Sequence, residues 1–152
     1  VTLSVQSPVS GRPVSLDQVP DPVFAQAMVG PGFAVEPDRE AADVLSPITG
    51  TVVTLHPHAF VVAGADGGAV LVHLGIDTVK RRGEGFTVHV EKGDAVEAGQ
   101  RVVTWDPAEV EAAGYAPICP VVALEADPSA LSPAAPWGGH VNAGTPLFTW
   151  DR

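Results

Sequence analysis

The chain has 152 residues, 45% hydrophobic and 17% charged, with a formal net charge of -10 from 8 Lys+Arg against 18 Asp+Glu. This composition describes a single globular domain over residues 1–152, large enough for a hydrophobic core, and excludes a disordered chain. The acidity argues against nucleic acid and suits a basic protein partner, while the lone cysteine, Cys119, excludes an internal disulfide and fits a reducing, cytoplasmic compartment.

No apolar run reaches membrane-spanning length, and the opening Val-Thr-Leu-Ser-Val-Gln-Ser-Pro carries no secretion signal, so no direct membrane insertion is expected. Ser7-Pro-Val-Ser-Gly-Arg-Pro-Val-Ser-Leu16 recurs as Ser46-Pro-Ile-Thr-Gly-Thr-Val-Val-Thr-Leu55, a turn leading into a strand. Between the two copies, Pro22 to Met28 is a short helical candidate. His58 to His73 reads as a β-hairpin, with Val61-Val62 and Val70-Leu71-Val72 joined by Gly64-Ala-Asp-Gly-Gly68.

Val90 to Asp94 reads as a turn between strands. A second repeat follows: Val96-Glu-Ala-Gly-Gln-Arg-Val-Val-Thr-Trp-Asp106 matches Val141-Asn-Ala-Gly-Thr-Pro-Leu-Phe-Thr-Trp-Asp151. Pro107 to Ala113 is the other helical candidate, with Asp106 as N-cap and Pro at the first helical position. Ala126 to Pro136 is expected to be a surface loop with a helical turn at Pro128–Leu131. With 16 Gly and 15 Pro, long helices are excluded. The expected fold is all-β: a compact antiparallel β-sandwich or barrel-like domain with internal pseudo-twofold repeats and only short helical turns.

Counting across the hairpin brings out the chemistry. A turn centred between Ala65 and Asp66 places His58 opposite His73. A turn centred on Asp66-Gly67 places Phe60 opposite His73, with His58 a diagonal neighbour. Both registers put the two imidazoles on one face, with Cβ atoms roughly 5 Å or 7–8 Å apart. Phe60, with Phe33, Val35 and Phe86, is expected to form an apolar rim. His56-Pro-His58 and His73-Leu-Gly-Ile-Asp77 also carry metal-ligand spacing. A zinc-dependent hydrolase using His56, His58, His73 and Asp77 is therefore an alternative, weakened because related zinc endopeptidases present the His-x-x-x-Asp element first. Cys119 reads as a small buried side chain. His89 and His140, both in His-Val-x-x-Gly, read as structural, and Lys80-Arg81-Arg82 as a solvated turn or a partner-facing feature.

Five stretches together resemble the glucose-type enzyme IIA of the bacterial phosphoenolpyruvate-dependent sugar phosphotransferase system. They are Val19-Pro-Asp-Pro-Val-Phe-Ala-Gln-Ala-Met-Val-Gly30, Ser46-Pro-Ile-Thr-Gly-Thr-Val52, His58-Ala-Phe60, Val72-His-Leu-Gly-Ile-Asp-Thr-Val79 and Gly83-Glu-Gly-Phe-Thr87. The likeness runs from about Leu3 to Trp150. It implies an antiparallel β-sandwich that accepts a phosphoryl group from the phosphocarrier HPr on Nε2 of His73. The group would pass on to the cysteine of an enzyme IIB domain, as part of a IIB/IIBC sugar permease. By the same resemblance His58 supports the phosphate, and Asp77 and Val79 belong to a partner-binding rim with Phe33, Val35, Phe60 and Phe86. No cofactor is required, although His58 and His73 can share zinc with a partner carboxylate. Family members can also act as regulatory binding modules according to their phosphorylation state.

Three features depart from the family pattern. Pro31 replaces a frequent aspartate in Gly30-Pro31-Gly32, and Lys80-Arg81-Arg82 stands where relatives are often neutral or acidic. His56 replaces a common threonine; by side-chain alternation it shares the face of His58, and either replaces the threonine's hydrogen bond or is simply exposed.

Overall fold

Two copies of one turn lie at the centre of the fold, and the sequence repeat is their cause. The computed structural model describes residues 2–135 and 138–152, so Pro136, the end of the expected loop, lies outside the described residues. Ser7 and Ser46 are fully buried, and each hydroxyl donates to a carbonyl two residues on: Ser7 Oγ to Val9 O at 2.6 Å, and Ser46 Oγ to Ile48 O at 2.8 Å. A buried hydroxyl needs such a partner. The turns then clasp each other, Gln6 N–H donating to Pro47 O and Leu45 N–H to Pro8 O, both at 2.9 Å. The second repeat closes on the same turns, with Ser7 N–H to Thr145 O and Ser46 N–H to Gln100 O, both at 2.8 Å. Gly11 bridges Val141, and Gly50 pairs with Val96. The expected pseudo-twofold character is present as matched hydrogen bonds.

Strands radiate from these turns. β1 (Thr2–Gln6) and β2 (Gly11–Ser15) flank the first, and β4 (Ala42–Leu45) and β5 (Gly50–His56) flank the second. β1 pairs with β13 (Pro146–Asp151), which pairs with β12 (Leu131–Pro133). β4 pairs with β10 (Arg101–Trp105), which pairs with β8 (Thr87–Val88). The large sheet has seven strands in the order β2, β3 (Gly32–Pro37), β11 (Cys119–Ala123), β7 (Ala69–His73), β6 (Ala59–Ala63), β5 and β9 (Ala95–Val96). These pairings are antiparallel, as expected for the sandwich.

Helices are short. In α1 (Pro22–Ala25) the Asp21 side chain accepts the Val23 N–H at 2.9 Å. It ends before the expected Met28 because Ala27 turns to φ 53°, in the left-handed region. α2 (Pro107–Ala112) carries the expected Asp106 cap, accepting from Ala108 N–H at 3.0 Å. A 3-10 turn occupies Pro128–Ala130. Among the described residues no helix is long and apolar enough to cross a membrane.

Strand alternation gives the large sheet two apolar faces. Phe33 pairs with Val121, Val121 with Val72 and Val72 with Phe60, and this row faces the main core with Val35, Val62 and Val70. The opposite face carries a smaller cluster of Val14, Leu16, Val19, Phe24, Ala34, Ile76, Ile118 and Val122. The segment from the Leu16–Gln18 3-10 turn through α1 contributes Leu16, Val19 and Phe24 to it. His73 belongs to this second face.

The paired turns bring backbone very close. A Cβ on Gly11 would lie 2.2 Å from Glu36 O, and one on Gly50 would lie 2.1 Å from Ala63 O. Gly11→Ala and Gly50→Ala should each destabilise the fold by about 1–3 kcal/mol, as overpacking does. Urea denaturation checks this, and wild-type midpoints in both variants would refute the close approach.

Candidate functional site

His73 ends β7 and pairs with Ala59, which pairs with His56 at the end of β5. The pairing of Ala63 with Ala69 centres the hairpin on Asp66, between the two expected registers. The Asp66 carboxylate fixes that turn by accepting the Gly68 N–H at 2.9 Å, and Gly67 supplies the required positive φ of 88°. In this register His58 lies opposite Leu74, whose N–H donates to His58 O at 2.7 Å. Strict alternation would send the His58 side chain away from His73. The rings nevertheless meet, with centroids 5.2 Å apart and planes at 77°. The reason is that Pro57 and His58 form the tight turn between β5 and β6, outside either strand. The expected convergence is found, but turn geometry produces it.

His73 is held in one tautomer. Its Nδ1 lies 2.5 Å from Gly75 O, and a carbonyl only accepts, so Nδ1 carries the proton and Nε2 the lone pair. The following residues fix that carbonyl. Gly75 has φ 79°, and a Cβ there would meet Thr78 Cγ2 at 2.8 Å and Ala116 O at 3.0 Å. Buried Thr78 donates its hydroxyl to Leu74 O at 2.7 Å, and Ile76 N–H donates to Ala116 O at 2.9 Å. Nε2 makes no hydrogen bond among the described residues. Since no fully buried side-chain nitrogen or oxygen there lacks a partner, Nε2 is not fully buried.

The surroundings keep the pair neutral. Burial lowers the His73 pKa from its ordinary 6.5, opposed by the Gly75 bond and by the charges of Asp21 and Asp77. Burial, then His73 and then His56, push His58 down to about 4. Phe24 packs on His73 with ring centroids 5.1 Å apart. Its place is set by α1, whose cap Asp21 also supplies one of the charges acting on His73. Sequence reasoning missed both roles, although Val19-Pro-Asp-Pro-Val-Phe24 was visible as a helix start.

Other expected site residues divide. Asp77 is exposed in a left-handed conformation, φ 60°, and its side chain caps nothing; Val79 beside it is 60% exposed. Phe33, Val35 and Phe60 do not form a rim. The register turns them to the main-core face of the sheet, opposite His73, and all three are buried there. Phe86 is half-buried and stacks on Trp105 at 6.3 Å, packed against the same core. His56 is exposed and stacks on His58, with centroids 5.7 Å apart and planes at 28°. In the basic cluster, Lys80 and Arg82 are exposed, but the Arg81 side chain is only 7% exposed. Its guanidinium pairs with Glu109 of α2, and its Nε donates to Glu84 O at 2.9 Å.

Cys119 is buried as expected, and burial pushes its thiol pKa up. His89 contacts Thr104 Oγ1 at 2.7 Å and His140 contacts Asp38 Oδ2 at 2.8 Å. Among the described residues no group of three or more His, Cys, Asp or Glu side chains is placed to hold a metal ion. The zinc-hydrolase arrangement of His56, His58, His73 and Asp77 is therefore not formed. What the site offers is a neutral imidazole nucleophile of fixed tautomer, with a second imidazole beside it.

Comparison with known proteins gives a consistent result. Residues 3–128 match the family described as phosphoenolpyruvate-dependent sugar phosphotransferase system, EIIA 1. The chain is 39% identical over 127 residues to the glucose-specific EIIA component of Oceanobacillus iheyensis, covering 82% of this chain and 76% of that protein. It is 39% identical over 131 residues to the beta-glucoside-specific EIIBCA component of Bacillus subtilis, covering 85% of this chain but only 21% of that longer protein. The solved structure of glucose permease IIA from Mycoplasma capricolum superposes with a TM-score of 0.83 at 30% identity, covering 98% of this chain and 96% of that one.

The neutral pair makes stability pH-dependent. His58 ionises near 4 in the fold against 6.5 when unperturbed, so between these values the unfolded chain binds more protons. The His58 contribution is complete above pH 6.5 and declines as the pH falls toward 4. Urea midpoints should drop across that window, and the drop should be smaller in His58→Ala. An equal drop in both proteins would contradict the burial argument.

Proposed function

The chain belongs to the phosphoenolpyruvate-dependent sugar phosphotransferase system EIIA 1 family, and from that premise we propose that His73 carries a phosphoryl group between two partner proteins. The observation that carries this reading is the Gly75 carbonyl on Nδ1 with Nε2 not fully buried. Nε2 attacks the phosphorus of phosphohistidine on HPr. The donor N–P bond breaks, and its electron pair returns to the HPr ring. The His73 ring then bears positive charge, which the Nδ1–H···O=C bond and the field of Asp21 and Asp77 stabilise. In the second step a thiolate of an enzyme IIB domain attacks phosphorus, and the electron pair returns to Nε2. The chemistry asks chiefly for positioning and charge stabilisation.

His58 is the phosphate-stabilising donor: a neutral imidazole retains one N–H for a phosphoryl oxygen. Asp77 meets a basic group of HPr, and Val79 and Val23, respectively 60% and 40% exposed, offer apolar side chains to the partner. A IIB/IIBC permease as the downstream partner is supported by the fusion of EIIA with IIB and IIC in the Bacillus subtilis relative. The protein then works at the cytoplasmic side of that permease. Zinc enters only in a partner complex, where a partner carboxylate would add the third ligand that the described residues lack.

Incubation with phosphoenolpyruvate, enzyme I and HPr tests the relay. Wild-type protein should gain acid-labile phosphate, and His73→Ala should gain none; equal labelling of His73→Ala would overturn the proposal. His58→Ala should still accept phosphate but pass it to enzyme IIB roughly 10²-fold more slowly, the scale of losing one charge-stabilising donor. Normal onward transfer by that variant would remove His58 from the mechanism.

A further inference from the structure

We infer that His56 is a positioning residue: its imidazole, stacked on the ring of His58, holds that ring edge-on to His73. The inference rests on the relay reading above for its consequence, but its geometric part stands alone. The backbone of His58 is fixed, since Leu74 N–H donates to its carbonyl at 2.7 Å. Its neighbour Pro57 sits so close to Gly83 that a Cβ there would lie 3.3 Å from Pro57 Cγ. The His58 ring itself has no hydrogen bond among the described residues. Its ring contacts are with His56, at 5.7 Å and 28°, and His73, at 5.2 Å and 77°.

Only one of these supports stays constant through the reaction. The edge toward His73 is where a phosphoryl group arrives and leaves. The face toward His56 is set by β5, where His56 is the last strand residue, paired with Ala59. Ala59 is too small to hold the ring in place of His56. A histidine whose exposed side chain makes no hydrogen bond among the described residues would ordinarily be free to move, yet here its ring lies on the one side chain expected to touch the phosphate.

The test compares His56→Ala and His56→Phe with wild type by two readouts. The first needs no partner protein: the nuclear Overhauser contact between the His58 and His73 rings in the unphosphorylated protein. The second is the rate of onward transfer to enzyme IIB. His56→Ala should weaken the ring-to-ring contact and slow onward transfer about two- to tenfold, the equivalent of one aromatic pair, while His73 still accepts phosphate. His56→Phe should restore both. Wild-type behaviour of His56→Ala overturns the inference, and so does a His56→Phe variant as impaired as His56→Ala, because the imidazole's own nitrogens would then be what matters. If the wild type takes up no phosphate, the relay reading fails, and the ring-to-ring contact alone decides whether His56 positions His58.

Discussion

One hydrogen bond, from His73 Nδ1 to the Gly75 carbonyl, sets the character of this site. It assigns the ring proton to Nδ1 and leaves the lone pair on Nε2. It also gives a developing positive charge on the ring a partner in place. The block Leu74-Gly-Ile-Asp-Thr78 exists in this form because that carbonyl must point back at the ring. Gly75 alone fits the left-handed backbone and the contacts with Thr78 and Ala116, and the Thr78 hydroxyl ties the loop to Leu74 O.

The pseudo-twofold scaffold explains why such a site can be built on short strands. The two serine–proline turns satisfy their own buried polar groups and each other's backbone, so the centre of the fold is rigid without long elements. The two halves then diverge at the same point. After β5 the chain reverses at once through Pro57-His58, and after β2 it runs through a 3-10 turn into α1. The first route delivers His56, His58 and His73; the second packs Phe24 on His73 and brings the charge of Asp21 to bear on it. Symmetry supplies the frame, and its local breaking supplies the site.

Much of this was legible in the sequence. The paired repeats foretold matched turns, and the Gly/Asp-rich stretch foretold the hairpin. Pro22 marked the start of the first helix, and Asp106 with Pro107 that of the second. What failed, failed through parity. A one-residue change in register moves every side chain to the other face, and the turn proved to centre on Asp66, between the two registers considered. Phe60 consequently lies in the main core instead of beside the histidines, and the pairing of β3 with β11 and of β11 with β7 turns Phe33 and Val35 to the same core. His58 reached His73 only because a turn residue is exempt from alternation. Phe24 and Arg81 could not be placed from sequence, since the packing of α1 over His73 and the ion pair with Glu109 are tertiary facts.

The central claim is that His73 acts through Nε2 because Nδ1 is committed to Gly75. Phosphorus NMR of protein with nitrogen-labelled histidine, phosphorylated through HPr, addresses it directly. A single phosphorus–nitrogen bond at Nε2 of His73 is expected, with Nδ1 still protonated. A phosphoryl group on Nδ1, or on His58, would contradict it.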